Sequence, residues 1–155
     1  MKKSFALLTA MTFLFIGCAS RTPVTSKALN FKIISPLVKI SDAGFIYRYP
    51  NRTNLQIYSS GVAILSLNIK DEKVCMNGAC DDELSFNSRF FKKEHYKGFL
   101  NAILLKKPLY NGSNLVKNEC GFTQEIETIS YSVCNNEVSF SDRASRVKID
   151  YKELD

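Results

Sequence analysis

Five cysteines, a single histidine and a run of three carboxylates are the side chains of this sequence with chemistry to offer. Cys75 and Cys80 flank Met76-Asn77-Gly78-Ala79, and Asn-Gly is the preferred pair for a two-residue type I′ hairpin. That register sets Met76 opposite Ala79 and Cys75 opposite Cys80. The second pair is non-hydrogen-bonded, with Cα atoms about 4.5 Å apart, within reach of a disulfide. Cys120 and Cys134 are left for a second bridge, which requires a bend or an intervening hairpin. A zinc site is the competing reading of Cys75 and Cys80. It fails for want of ligands, since His95 is the only histidine and zinc takes four. His95 stands at the start of a predicted helix and is expected to face solvent. Asp81-Asp82-Glu83 is expected to be a solvated turn, with calcium binding as the alternative. The sequence holds no Gly-x-Ser-x-Gly elbow, glycine-rich phosphate loop or paired metal-ligand motif. The expectation is a non-enzymatic protein with no catalytic residue, no cofactor and no metal.

The remaining cysteine, Cys18, has a different setting. Lys2 and Lys3 precede an apolar run from Phe5 to Ile16, and Gly17-Cys18 follows. A basic start, a short apolar stretch and a small residue at its end make a secretory signal. The run is twelve residues long, whereas a membrane-spanning helix needs about 20. The segment resembles bacterial lipoprotein signals, whose cleavage leaves an acylated cysteine as the first mature residue. By that resemblance residues 1–17 are removed, Cys18 carries palmitate-type acyl chains, and the protein is held to a bilayer without crossing it. Three chains anchor far more firmly than one. Ala19 and Ser20 follow the cysteine where an inner-membrane protein of this type carries Asp, which implies the outer membrane, with the domain facing the periplasm. An oxidising compartment then suits two disulfides.

Loss of Lys2 and Lys3 lowers the formal charge from +6 to +4, spread along the chain. There is no basic patch interleaved with aromatics in a known motif, so no nucleic-acid partner is expected. Residues 18–30 are expected to form the acylated cysteine and a polar tether. A single β-rich domain then fills 31–155, opening with an edge strand or extended arm at Phe31–Ile34 that Pro36 interrupts.

Most of the domain alternates as half-buried strands do. Phe45, Tyr47 and Tyr49 share one face. Leu55 and Ile57 follow after the Pro50-Asn51-Arg52 turn, and Ala63, Leu65, Leu67 and Ile69 after Ser59-Ser60-Gly61. Leu84–Phe91 is apolar and aromatic. The period then changes: Tyr96, Phe99, Leu100, Ile103 and Leu104 form one stripe of a helix, closed by Lys106-Lys107-Pro108. Strands resume beyond Asn111-Gly112-Ser113-Asn114, with Ile129, Tyr131 and Val133, then Val138 and Phe140, then Val147, Ile149 and Tyr151.

A β-meander interrupted by one apolar-faced helix predicts a mainly β (α+β) fold. The expected form is a curved antiparallel half-barrel whose concave side the helix covers; an immunoglobulin-like β-sandwich is the alternative. Ser60–Ile69, Tyr96–Pro108 and Arg146–Tyr151 resemble the glycine-led strand, the leucine-rich helix and the terminal strand of the bacterial LolB lipoprotein-receptor family. The chain departs from that family's pattern in having no tryptophan and in its two extra disulfides. The resemblance implies a greasy cavity that accepts lipoprotein acyl chains from a periplasmic carrier protein and delivers them to the outer membrane. Leu65, Leu67, Phe99, Leu100, Ile103 and Leu104 are the residues expected to line it, or else to be ordinary core. Two other classes stay open: a structural or protein-interaction lipoprotein, and a hydrolase inhibitor.

Overall fold

Among the described residues, alternation of apolar and polar side chains produces eleven strands, all in one antiparallel sheet. The computed structural model describes residues 22–154, so Cys18, the signal segment and the first part of the tether lie outside the described residues. The first half supplies β1 (Thr25–Ile34), β2 (Lys39–Tyr49), β3 (Arg52–Ser59), β4 (Val62–Lys70), β5 (Lys73–Met76) and β6 (Ala79–Asp82). Two helices follow, α1 (Glu83–Phe91) and α2 (Phe99–Leu104). The second half supplies β7 (Leu115–Asn118), β8 (Gly121–Ile126), β9 (Ile129–Cys134), β10 (Glu137–Asp142) and β11 (Val147–Glu153). The order across the sheet is β6-β5-β4-β3-β2-β1-β11-β10-β9-β8-β7. The sheet does not close, because β6 and β7 are its two free edges.

This is the expected curved half-barrel, with two helices rather than one on its apolar face. The sandwich is excluded, since the strands make one continuous sheet and not two facing ones. Among the described residues no helix is long and apolar enough to cross a membrane.

Two expectations, for the first strand and for Ala63, need correction. The first strand starts at Thr25, inside the expected tether, and it is central. Its register runs Phe31 opposite Tyr151 on one side and Leu29 opposite Gly44 on the other. Pro36 interrupts nothing, because it lies in the turn after the strand, where no ladder hydrogen bond is needed. In β2 the aromatic row Phe45, Tyr47 and Tyr49 faces outward, and the core side carries Gly44 and Ile46. In β4, Ala63 is exposed although it alternates with Leu65. A bulge between Ile57 and Tyr58 pairs Tyr58 with Ala63, leaving Ile64 as the extra residue that flips the strand end outward.

Gly44 has a specific reason to be glycine. A Cβ there would lie 2.1 Å from the backbone oxygen of Gln56 on the neighbouring strand. Both disulfides are present. Cys75–Cys80 spans the tip predicted for it, with Met76 opposite Ala79 and positive φ at Asn77 and Gly78. Cys120–Cys134 closes the β8–β9 hairpin, which is the intervening hairpin that bridge required.

Candidate functional site

The concave face is where the sequence placed its cavity, and the helices decide what that face can do. α1 was not anticipated from the sequence. Asp82 caps it by accepting from the Ser85 N–H at 3.0 Å, which makes Asp82 a helix start and not part of a free turn. Phe86 and Phe90, four residues apart, stack on one face at 5.3 Å between ring centroids. The signal was therefore an N-cap aspartate followed by an i, i+4 aromatic pair. It was obscured because Leu84–Phe91 is short and apolar nearly throughout.

The expected helix over Tyr96–Pro108 shrinks to six residues. Gly98 begins it, adopting φ 84° at the N-cap, and Lys106 ends it in the left-handed region at φ 58°. Polar contacts then pin α2 at each end. The buried Glu83 carboxylate accepts from the Gly98 N–H at 2.7 Å. The Asn101 side chain accepts from the Thr53 hydroxyl on β3 at 2.7 Å. At the C-terminal end the Leu104 carbonyl accepts from Tyr151 at 2.9 Å and from Arg48 at 3.3 Å. Arg48 also pairs with Glu153, which Lys106 reaches at 2.9 Å. Burial pushes the Glu153 carboxyl up, but Lys106 and Arg48 together hold it below the usual range.

Asp81-Asp82-Glu83 is thus corrected residue by residue: Asp81 pairs with Arg89, Asp82 caps, and Glu83 is buried against Gly98. Burial raises the Glu83 carboxyl above its ordinary value. Among the described residues no cluster of three or more His, Cys, Asp or Glu side chains has metal-site geometry.

His95 is the largest departure from expectation. It is 1% exposed, not solvent-facing. Its ring stacks on Phe99 at 3.9 Å, meets Phe91 edge-on at 5.2 Å, and its Nδ1 lies 2.5 Å from the Tyr110 hydroxyl. Nε2 is buried without a partner. Desolvation, helped by nearby Lys93, pushes the imidazole down to about 4. Asn87 of α1 donates to the carbonyls of His95 and Tyr96, tying the two helices through their connection. Two neighbours drew His95 inward: Phe91 behind it and Phe99 ahead, both on core faces.

All six residues expected to line the cavity are buried. Leu65, Leu67, Leu100 and Leu104 surround a common void with Phe86 and Phe90, whereas Phe99 and Ile103 do not border it. Phe99 belongs instead to the aromatic cluster around His95. The void is wholly apolar in its lining but measures only about 20 Å³, room for one water-sized guest. The six are therefore packed core, and the void that four of them border is too small for an acyl chain. No protein-family model matches the chain, and no curated protein matches it in sequence.

Proposed function

We propose that this is a non-enzymatic, lipid-anchored protein of the bacterial envelope. It sits at the periplasmic side of the outer membrane and receives lipid or lipoprotein acyl chains under α1 and α2. The observation that supports the reading is an open sheet of eleven strands, its apolar face plugged by two short helices over an all-apolar void. A short helix contributes little stability of its own and is held by what it packs against. Swinging α1 and α2 outward breaks the few polar ties at Gly98, Asn101 and Leu104 and bares Leu65, Leu67, Leu100 and Leu104. Acyl chains then replace the helices' own side chains at little net cost in buried apolar surface. Acyl chains on Cys18 keep the domain beside the bilayer that takes the cargo, and a periplasmic carrier is the donor.

Binding of a fluorescent fatty acid to the purified chain tests the first step. Saturable binding that Leu65→Trp abolishes by filling the void is expected; absence of saturable binding rejects an acyl site. Depletion in cells, followed by membrane fractionation, tests the second. Outer-membrane lipoproteins that still reach their membrane would exclude the receptor role. A structural, protein-interaction role is the second reading, favoured by the fullness of the core beneath the helices.

A further inference from the structure

The face of the sheet turned away from the helices is not flat. Across β2, β1, β11, β10 and β9 it holds a trough of about 720 Å³, within the range of small-ligand sites. Strand register organises its floor into two rows. Ser41, Lys32, Asp150, Ser139 and Ser132 face one another in sequence across the five strands. Ala43, Asn30, Lys152, Glu137 and Cys134 form the second row in the same way. Five strands at about 4.8 Å spacing give a floor roughly 19 Å long.

The chemistry of that floor restricts its occupant. Lysines and carboxylates are both present, and some of them are paired. Lys152 pairs with Glu137 at 2.6 Å, and Asp150 takes Lys148 at 3.3 Å and the Ser139 hydroxyl at 2.8 Å. The lining mixes Lys32 and Lys152 with Asp42, Glu137 and Asp150, so a strongly charged ligand meets no field of a single sign there, and apolar patches lie between the polar groups. Ser41, Asn30, Ser139 and Ser132 offer small side chains with hydroxyl or amide groups that both donate and accept. The second row continues past Ala43 to Tyr58, which meets the exposed Phe45 edge-on at 6.2 Å. An aromatic ledge beside a long floor of mixed charge, with serine hydroxyls and an asparagine amide, suits a chain of flat-faced, polyhydroxylated rings. Ring C–H faces lie on the aromatics while hydroxyls exchange hydrogen bonds with the floor.

We propose that this outer trough, between the β2–β3 aromatic ledge and β9, binds a neutral oligosaccharide. It lies on the opposite face from the acyl site and does not depend on that reading. The test titrates the purified full-length chain, in a zwitterionic detergent without sugar head groups, with a neutral N-acetylglucosamine hexamer and a neutral glucose hexamer. Backbone amide shifts are followed. Saturable shifts centred on Asn30, Ser132, Ser139 and Lys152 are expected, and the stronger of the two probes tells an acetamido glycan from a plain hexose one. Phe45→Ala, at an exposed position, should weaken binding by about tenfold through loss of the stacking face. Ser139→Trp should abolish it by filling the trough while leaving the melting temperature unchanged. The proposal is overturned if neither sugar shifts the trough at millimolar concentration. Unchanged binding in Ser139→Trp, or trough shifts that follow protein concentration without sugar and so mark a second copy, would overturn it too.

Discussion

His95 makes the stability of the fold depend on pH through one side chain, and the size of the effect follows from its surroundings. Its ordinary value of 6.5 falls to about 4 in the folded protein because burial among Phe91, Phe99 and Tyr110 disfavours the imidazolium. The unfolded chain therefore takes up the proton first. Stability is intact above about pH 7 and declines as pH falls through 6.5 towards 4. At pH 5 the unfolded state is almost fully protonated at this site and the folded state is not, which costs about 2 kcal/mol relative to pH 7.5. Because the sequence has no other histidine, His95→Gln removes the only group of this type. Urea unfolding of both proteins, disulfides intact, at pH 7.5 and pH 5 reads the effect. The wild type should lose about 2 kcal/mol more than the variant over this interval. Taking the difference cancels Glu83, whose raised value acts in the opposite sense. Parallel loss in the two proteins, or an imidazole that titrates by NMR near 6.5 in the folded state, would refute the reasoning.

The two disulfides should differ in worth. On the chain-entropy account, opening the longer Cys120–Cys134 loop (Cys120→Ala with Cys134→Ala) costs about 3 kcal/mol, and opening the short Cys75–Cys80 loop about 2. Denaturant midpoints of the two double variants provide the comparison, and a larger loss for Cys75–Cys80 would contradict it. Gly44→Ala drives a methyl group into the Gln56 backbone oxygen 2.1 Å away, a clash that no rotamer relieves. The β2–β3 pairing must shift, with an expected loss of several kcal/mol, on the order of the largest single-residue effects. A melting temperature within a degree or two of wild type would show that the strands part freely.

The sequence was legible wherever local chemistry and global fold agreed. Asn77-Gly78 gave the hairpin, its register and the Cys75–Cys80 bridge, because a type I′ turn dictates which residues face each other. The alternation of Leu65, Leu67 and Ile69 gave the buried face of β4 for the same reason. It was illegible where a residue's environment comes from chain far away. β1 passed for a tether and an edge because only its partner β11, more than a hundred residues on, makes it central. The outward turn of Phe45 and Tyr47 was hidden too. A strand's period tells which residues share a face but not which face meets the core.

By itself, then, the sequence determined a mainly β domain, both disulfide pairings and the stripe from Phe99 to Leu104. These follow from turn geometry, periodicity and residue type, all of which act over a few neighbouring positions. Only the tertiary structure decided that His95 is buried and that β1 stands mid-sheet. The space beneath the helices was likewise settled there, at about 20 Å³. Each depends on how side chains from distant strands fill a shared volume, and close packing is a property of the assembled core, not of any stretch of chain.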